Sequence, residues 1–180
     1  MKISSILLLL GSLLIGNELK IDFGKDEMGQ DWQVINDGVM GGLSKGTINF
    51  TDTSLVFQGS VSLENFGGFT AFKSPFQSTD LSDYEYVSIR LKVKQQQLAL
   101  TLETDQNFYQ PYYKKVIATS SEEWETVRLK LSDFKEWRLG QATGKQLSKA
   151  SAAEVIRLGL ITNEKKAGEF EVEVDYLVFE

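Results

Sequence analysis

The sequence predicts an all-β chain: an antiparallel β-sandwich of jelly-roll type with at most one or two short helices. Three observations carry that expectation. Apolar and polar residues alternate with period two through the second half, Gly, Asp, Asn and Ser separate short apolar runs in the first half, and only one stretch has helical character. A sandwich lets each such strand bury one face while the other stays in water.

The elements follow in order. Residues 1–16, MKISSILLLLGSLLIG, place one lysine before an apolar run that is short for a membrane span and suited to a secretory leader. Leu14 and Gly16 stand where a small-x-small cleavage pattern belongs. The segment therefore reads as a signal peptide or a retained N-terminal anchor, and the expected location is secreted or periplasmic. Membrane contact is expected only through this segment if it is uncleaved. Residues 17–180 are expected to form a single domain.

Candidate strands follow at 19–23, 32–36, 45–50, 54–63 and 68–73. In YVSIRLKVK, Val87, Ile89, Leu91 and Val93 oppose Ser88, Arg90, Lys92 and Lys94. QLALTLET repeats the pattern with Leu98, Leu100 and Leu102, and ETVRLKL with Val127, Leu129 and Leu131. EFEVEVDYLVF closes the chain, setting Phe170, Val172, Val174, Tyr176 and Val178 against Glu171, Glu173 and Asp175. The one helical stretch is SKASAAEVI, where Ser148 or Ser151 is placed to cap one or two turns.

Composition narrows the chemistry. The 180 residues include no cysteine and no histidine, which removes thiol nucleophiles, Ser–His–Asp triads, disulfides and the usual zinc, copper and iron ligand sets. Carboxylate, lysine or tyrosine chemistry and oxygen-ligand cations remain. A formal charge of −6 with no basic run speaks against nucleic acid as a partner.

Two glycine segments stand out: NDGVMGGLS at 36–44 and ENFGGF from Glu64. Neither dinucleotide nor P-loop spacing is met by Gly38, Gly41, Gly42 and Gly46. One reading is consecutive tight turns, with Asn36 and Asp37 bonding their own backbone and Gly67–Gly68 turning a hairpin. The other is a recognition platform in which Val39, Met40 and Leu43 meet a partner, Asp37 anchors it, and Glu64 and Asn65 complete a polar patch.

A second cluster, DQNFYQPYY, offers Phe108, Tyr109, Tyr112 and Tyr113 either as a platform for a sugar ring or as cover for the core. Trp32, Trp124 and Trp137 are read as core or core-edge residues. Asp37, Glu64, Glu103 and Asp105 are carboxylates of the type glycoside hydrolysis needs, but nothing in their spacing pairs them. No cofactor is expected. A structural calcium ion is allowed, with Asp80, Asp83 and the 105–107 loop as the places to look.

The ordered set of segments carries a resemblance. A tryptophan, then NDGVMGGLSKG, then FQGSVSLENFGGF, then DLSDYEYVSIRLKVK, YQPYY, WETVRLKLSDFKEW and LGLITNEKKAGEFEVEVDYL together resemble the domain of the thirty-kilodalton complex I intermediate-associated protein family. The similarity spans nearly all of residues 19–180. It implies a galactose-binding-like jelly roll without catalytic activity, acting as an assembly factor with chaperone-like binding of unfinished subunits.

The chain departs from that pattern at three places. Phe66 stands where a second asparagine is usual, QQQ at 95–97 replaces a glycine-bearing turn, and Arg138-Leu139-Gly140 splits an Arg-Gly pair. The expected function is thus a non-catalytic binding domain with a protein partner, using Asn36, Asp37, Gly38, Met40, Gly41, Gly42, Glu64, Asn65, Gly67 and Gly68 as its surface. The alternative is a secreted carbohydrate-binding module with a glycan partner, using the Phe108–Tyr113 cluster.

Overall fold

The computed structural model describes residues 18–24, 28–119 and 121–180, so the expected signal peptide or anchor at residues 1–16 lies outside the described residues. Among the described residues, thirteen strands build two antiparallel sheets around one apolar core. The first half supplies β1 (Leu19–Asp22), β2 (Gln33–Asn36), β3 (Lys45–Phe50), β4 (Leu55–Val61) and β5 (Thr70–Lys73). Then come β6 (Tyr86–Lys94), β7 (Leu98–Glu103), β8 (Tyr112–Ile117), β9 (Glu125–Lys130), β10 (Lys135–Arg138) and β11 (Gln141–Gln146). Helix α1 (Lys149–Ala153), β12 (Arg157–Thr162) and β13 (Gly168–Phe179) complete the order. One sheet runs β3-β4-β13-β6-β9 with β1 beside β13, and the other runs β11-β10-β8-β7-β12-β5-β2.

Period two built β6 and β9 as expected, but β13 changes phase at a bulge between Val174 and Tyr176. Leu177 and Phe179, not the expected Tyr176 and Val178, therefore join Phe170, Val172 and Val174 in the core. Along β6, Val87, Ile89, Leu91 and Val93 are buried while Ser88, Arg90 and Lys92 face outward. The outer face carries a ladder of opposite charges across strands, Arg90 to Asp175 and Lys92 to Glu173. Trp124, just before β9, lies against both cations, 4.6 Å from the Arg90 guanidinium and 4.8 Å from the Lys92 ammonium. Of the three tryptophans only Trp32 is in the core, edge-on to Phe23 at 5.1 Å. Phe57 links the layers, 4.9 Å from both Phe72 and Phe170. Such ring pairs add about 0.5–1.5 kcal/mol each beyond the area they bury.

Helix α1 is capped by Ser148, whose hydroxyl accepts from the Ser151 N–H at 3.1 Å. One local expectation is corrected. Residues 62–69 are not the turn of a hairpin, because β4 pairs with β3 and β13 while β5 pairs with β12 and β2. The segment instead arches from one sheet to the other over the end of the sandwich.

Register fixes what meets at each end. Val61 pairs with Gly168, Lys94 with Glu171, Leu98 with both Thr162 and Ile117, and Asn36 with Thr70. The loops 37–44, 62–69, 95–97, 118–124 and 163–167 therefore share one end. Glu103 pairs with Tyr112, which puts the 104–111 loop, with Phe108 and Tyr109, at the opposite end. The two groups of residues singled out in the sequence are thus separated by the length of the strands.

Candidate functional site

At the glycine-loop end, residues 37–40 form one 3-10 turn closed by Gly41, whose φ of +85° is left-handed backbone that favours glycine. Asp37 opens that turn and is 1% exposed. Its Oδ1 accepts the Ser44 N–H at 3.0 Å, and its Oδ2 accepts the Ser44 hydroxyl at 2.6 Å. Oδ2 also accepts the Gly68 N–H at 2.7 Å and the Phe69 N–H at 3.2 Å. The Ser44 hydroxyl in turn accepts the Ser62 N–H at 3.0 Å. One carboxylate thereby ties the start of β3, the end of β4 and the approach to β5.

Asn36 does the same one residue earlier. Its Oδ1 accepts the Gly46 N–H at 3.0 Å and the Thr70 hydroxyl at 2.6 Å, joining β3 of one sheet to β5 of the other. Thr70 is fully buried, and its N–H is satisfied by the Thr162 hydroxyl at 3.1 Å. The knot satisfies backbone donors that an arching loop would otherwise leave unpaired.

Two glycines are required by this packing. A Cβ on Gly42 would stand 2.4 Å from the Asp37 carboxyl carbon, and one on Gly67 would stand 2.7 Å from Asp37 Oδ2. Burial alone pushes the Asp37 carboxyl up. The Ser44 hydroxyl and the N–H groups of Gly68, Phe69 and Ser44 together outweigh it and hold the group below the ordinary aspartate range. Asp37 is therefore ionised at neutral pH with no proton to give as a general acid.

The expectation that Asp37 presents its carboxylate to a partner is corrected: all of its acceptor contacts are spent inside the fold. Asn36 is half-buried and likewise engaged, Gly42 and Gly68 are buried, and Gly38 and Gly41 are exposed. Met40 ends the 3-10 turn, but its side chain and that of Val39 lie outside the described residues.

What the knot does present is the arch above it. Glu64, Asn65 and Phe66 are exposed, with Phe66 at 97%, and Leu63 and Leu43 are about half exposed at 48% and 50%. Asn65 and Phe66 take φ +53° and +63°, and the Gly67 N–H closes on the Glu64 carbonyl at 2.9 Å. Asparagine tolerates the left-handed region, whereas phenylalanine pays about 1–2 kcal/mol for it. A fully exposed ring in strained backbone has no packing reason to be there, and such strain concentrates at functional sites.

The aromatic cluster at the other end is only partly assembled. Tyr113 points inward, its hydroxyl within hydrogen-bonding distance of Ser151 Oγ at 3.0 Å and Glu136 Oε2 at 3.3 Å, so it leaves the proposed platform. Phe108, 86% exposed, and Tyr109 pair edge-to-face at 5.7 Å on the connecting loop. Tyr112 lies on the outer face of its sheet in a cross-strand row of Trp137, Tyr112, Glu103 and Arg157. Sequence reasoning missed Trp137, which carries the Lys114 ammonium 3.8 Å from its ring centre. KEWR is inverted, with Glu136 buried and Trp137 outward, and no local pattern announces that.

Glu103 is ion-paired with Lys73 and lies 3.8 Å from the Arg157 guanidinium, while Asp105 closes a turn by accepting from Asn107. Asp80 accepts the Ser82 N–H, and Asp83 lies 3.7 Å from Lys149. Among the described residues no three acidic side chains converge as a metal-binding group would require.

Known proteins place this architecture. The fold is similar to a family 11 carbohydrate-binding module from Clostridium thermocellum solved with a β-1,3-1,4-mixed-linked tetrasaccharide. That match has TM-score 0.63 and 15% identity, covering 89% of this chain and 94% of that one. The corresponding module of the cellulosomal cellulase Lic26A-Cel5E of the same organism aligns with TM-score 0.64 and 15% identity, over 89% and 93% of the two chains. An agarase, AgWH50C, aligns with TM-score 0.58 and 10% identity over 91% of this chain and 24% of its own. At such identities the likeness is one of fold. No curated protein matches the chain by sequence. Residues 21–174 match the Complex I intermediate-associated protein 30 (CIA30) family over both glycine segments and all strands but parts of the first and last, and the chain belongs to that family.

Proposed function

We propose that this chain is a non-catalytic binding domain, exported by its N-terminal segment, that holds a protein partner at the glycine-loop end in the manner of an assembly factor. The observation that carries the reading is Phe66: fully exposed and in left-handed backbone, with half-exposed Leu63 three residues before it in the same arch. An exposed aromatic anchor on a rigid base is the arrangement of a binding hot spot. The buried Asp37 knot supplies the rigidity, lowering the cost of ordering the arch on contact. Membership of a family named for association with a complex I intermediate supports a protein partner.

A second reading, a glycan partner, is favoured by the outer row of Trp137 and Tyr112 beside Glu103 and Arg157, and by the carbohydrate-binding modules that share the fold. One experiment separates the two. Tagged wild type, Phe66→Ser/Leu63→Ser and Trp137→Ala are each used to capture partners from the host's envelope fraction and to probe a polysaccharide array. The protein reading expects subunits of a membrane complex on wild type and Trp137→Ala, and at least about a tenfold loss on the double-serine variant. Glycan signal abolished by Trp137→Ala, with no protein captured, would replace it with the second reading.

A further inference from the structure

The end of the sandwich away from the glycine loops carries two protruding apolar tips. Strands β10 and β11 are joined by Leu139 and Gly140 alone, since Arg138 pairs with Gln141. Two-residue turns of this kind favour Asn-Gly, because both positions take left-handed backbone. Here Leu139 takes the first position at φ +47° and is 65% exposed. On the neighbouring 104–111 loop Phe108 is exposed, with Tyr109 edge-on against it. The Arg138 guanidinium donates to the Tyr109 carbonyl at 3.2 Å, which holds the two tips side by side. Neither Phe108 nor Leu139 belongs to the core.

The sheet behind the tips is stratified. On its outer face the row next to them pairs Trp137 with Tyr112, and the row beyond, two residues along each strand, pairs Lys135 with Lys114. The strand rise puts those rows about 7 Å apart. Among the described residues Lys114, Lys135 and Arg138 have no carboxylate within ion-pair distance. The nearby carboxylates are engaged: Glu103 with Lys73, buried Glu136 with the Thr143 hydroxyl and Lys145, and Asp105 with Asn107. Apolar tips, then tyrosine and tryptophan, then unpaired cations follow the depth order of a lipid surface, from acyl boundary through aromatic belt to phosphates. A headgroup layer is about 5–8 Å thick, so tips that touch acyl chains bring the two lysines to the phosphates. The arch at the other end has no such order, because Phe66 follows exposed Glu64 and Asn65.

We propose that this end docks on an anionic lipid surface, Phe108 and Leu139 entering the acyl boundary while Lys114, Lys135 and Arg138 meet the phosphates. The contact is separate from Phe66 and from the N-terminal segment. The test uses chains starting at Asn17, because the apolar segment before it would itself enter lipid and the core lies wholly between Leu19 and Phe179. Flotation is measured with vesicles of phosphatidylcholine alone and of phosphatidylcholine with phosphatidylglycerol, and tryptophan emission is followed with brominated acyl chains. Wild type should float with the anionic vesicles, less so as salt rises. Phe108→Ser/Leu139→Ser and Lys114→Gln/Lys135→Gln should each bind at least about tenfold more weakly. Quenching per bound molecule should fall sharply in Trp137→Phe and persist in Trp124→Phe, whose ring lies at the glycine-loop end. The tip residues lie outside the core, and an unchanged melting temperature checks the fold of their variant. No flotation of wild type, equal binding by either double variant, or quenching that follows Trp124 would overturn the proposal. If wild type does not float but the tip variant loses a captured protein, this end is a protein surface instead.

Discussion

Asp37→Ala is expected to destabilise the protein by about 3–5 kcal/mol, a large share of the roughly 5–15 kcal/mol of a typical domain. The substitution strips the partners from the Ser44, Gly68 and Phe69 N–H groups and the Ser44 hydroxyl at once. Chemical denaturation should show a lower midpoint with an unchanged slope, because the same surface is exposed on unfolding. Asp37→Asn keeps the shape but must turn an NH2 toward donors or surrender contacts, so it should lie between alanine and wild type.

The pH dependence follows with a definite sign. The folded pKa of Asp37 lies below its unfolded value, so the unfolded chain binds its proton first as pH falls. The stabilisation is therefore complete above about pH 4 and is lost as pH drops through the folded value. Wild type should lose stability in that acid window, and the part of the slope due to this residue should vanish in Asp37→Asn. A variant whose acid slope equals that of wild type would show that Asp37 is not ionised in the knot.

The second large effect is expected at Gly42. Alanine there would put a methyl 2.4 Å from the Asp37 carboxyl carbon, inside any real contact, in a position that is itself buried. Either the carboxylate or the 41–44 backbone must shift, and overpacking of this kind costs about 1–3 kcal/mol, with lost hydrogen bonds in addition. A double-mutant cycle makes the claim specific. With Asp37→Ala already present the obstructing carboxylate is gone, so Gly42→Ala should cost clearly less than it does in wild type. A coupling energy near zero would mean that the two positions do not oppose each other as the geometry states.

Much of the fold was legible because long strands with one wet face declare themselves. β6 and the first half of β13 could be read from alternation alone, and the cap of α1 narrowed to Ser148 or Ser151. The bulge after Val174 that turns Leu177 and Phe179 inward left no local signal. β10 and β11 could not be read this way. Lys135–Arg138 turns its glutamate inward and its tryptophan outward, and Gln141–Gln146 is exposed along its whole length, so neither shows a periodic apolar face. Both are held by pairing with neighbours distant in sequence, which local pattern does not encode.

The site was legible in place and illegible in orientation. NDG reads equally as a solvated turn and as a buried acceptor. The choice was made by Ser44 and by Gly68 and Phe69, which arrive from 7, 31 and 32 residues away. The same uncertainty hid the arch: Gly67–Gly68 suggested a hairpin, while its true role is to let backbone close on Asp37. Glu64 and Asn65 kept their expected exposure, and Phe66, noted only as a departure from a family pattern, became the most exposed large hydrophobic side chain among the described residues.

The central claim, that partner recognition occurs at the glycine-loop end through Phe66, is tested most directly by a photoreactive phenylalanine analogue. It is placed at Phe66 in one protein and at Phe108 in another, two highly exposed rings at opposite ends of the same sandwich. Irradiated in the host envelope, the Phe66 protein should yield a discrete protein adduct and the Phe108 protein should not. An adduct from Phe108 alone, or none from Phe66 under conditions where wild type captures its partner, would contradict the account.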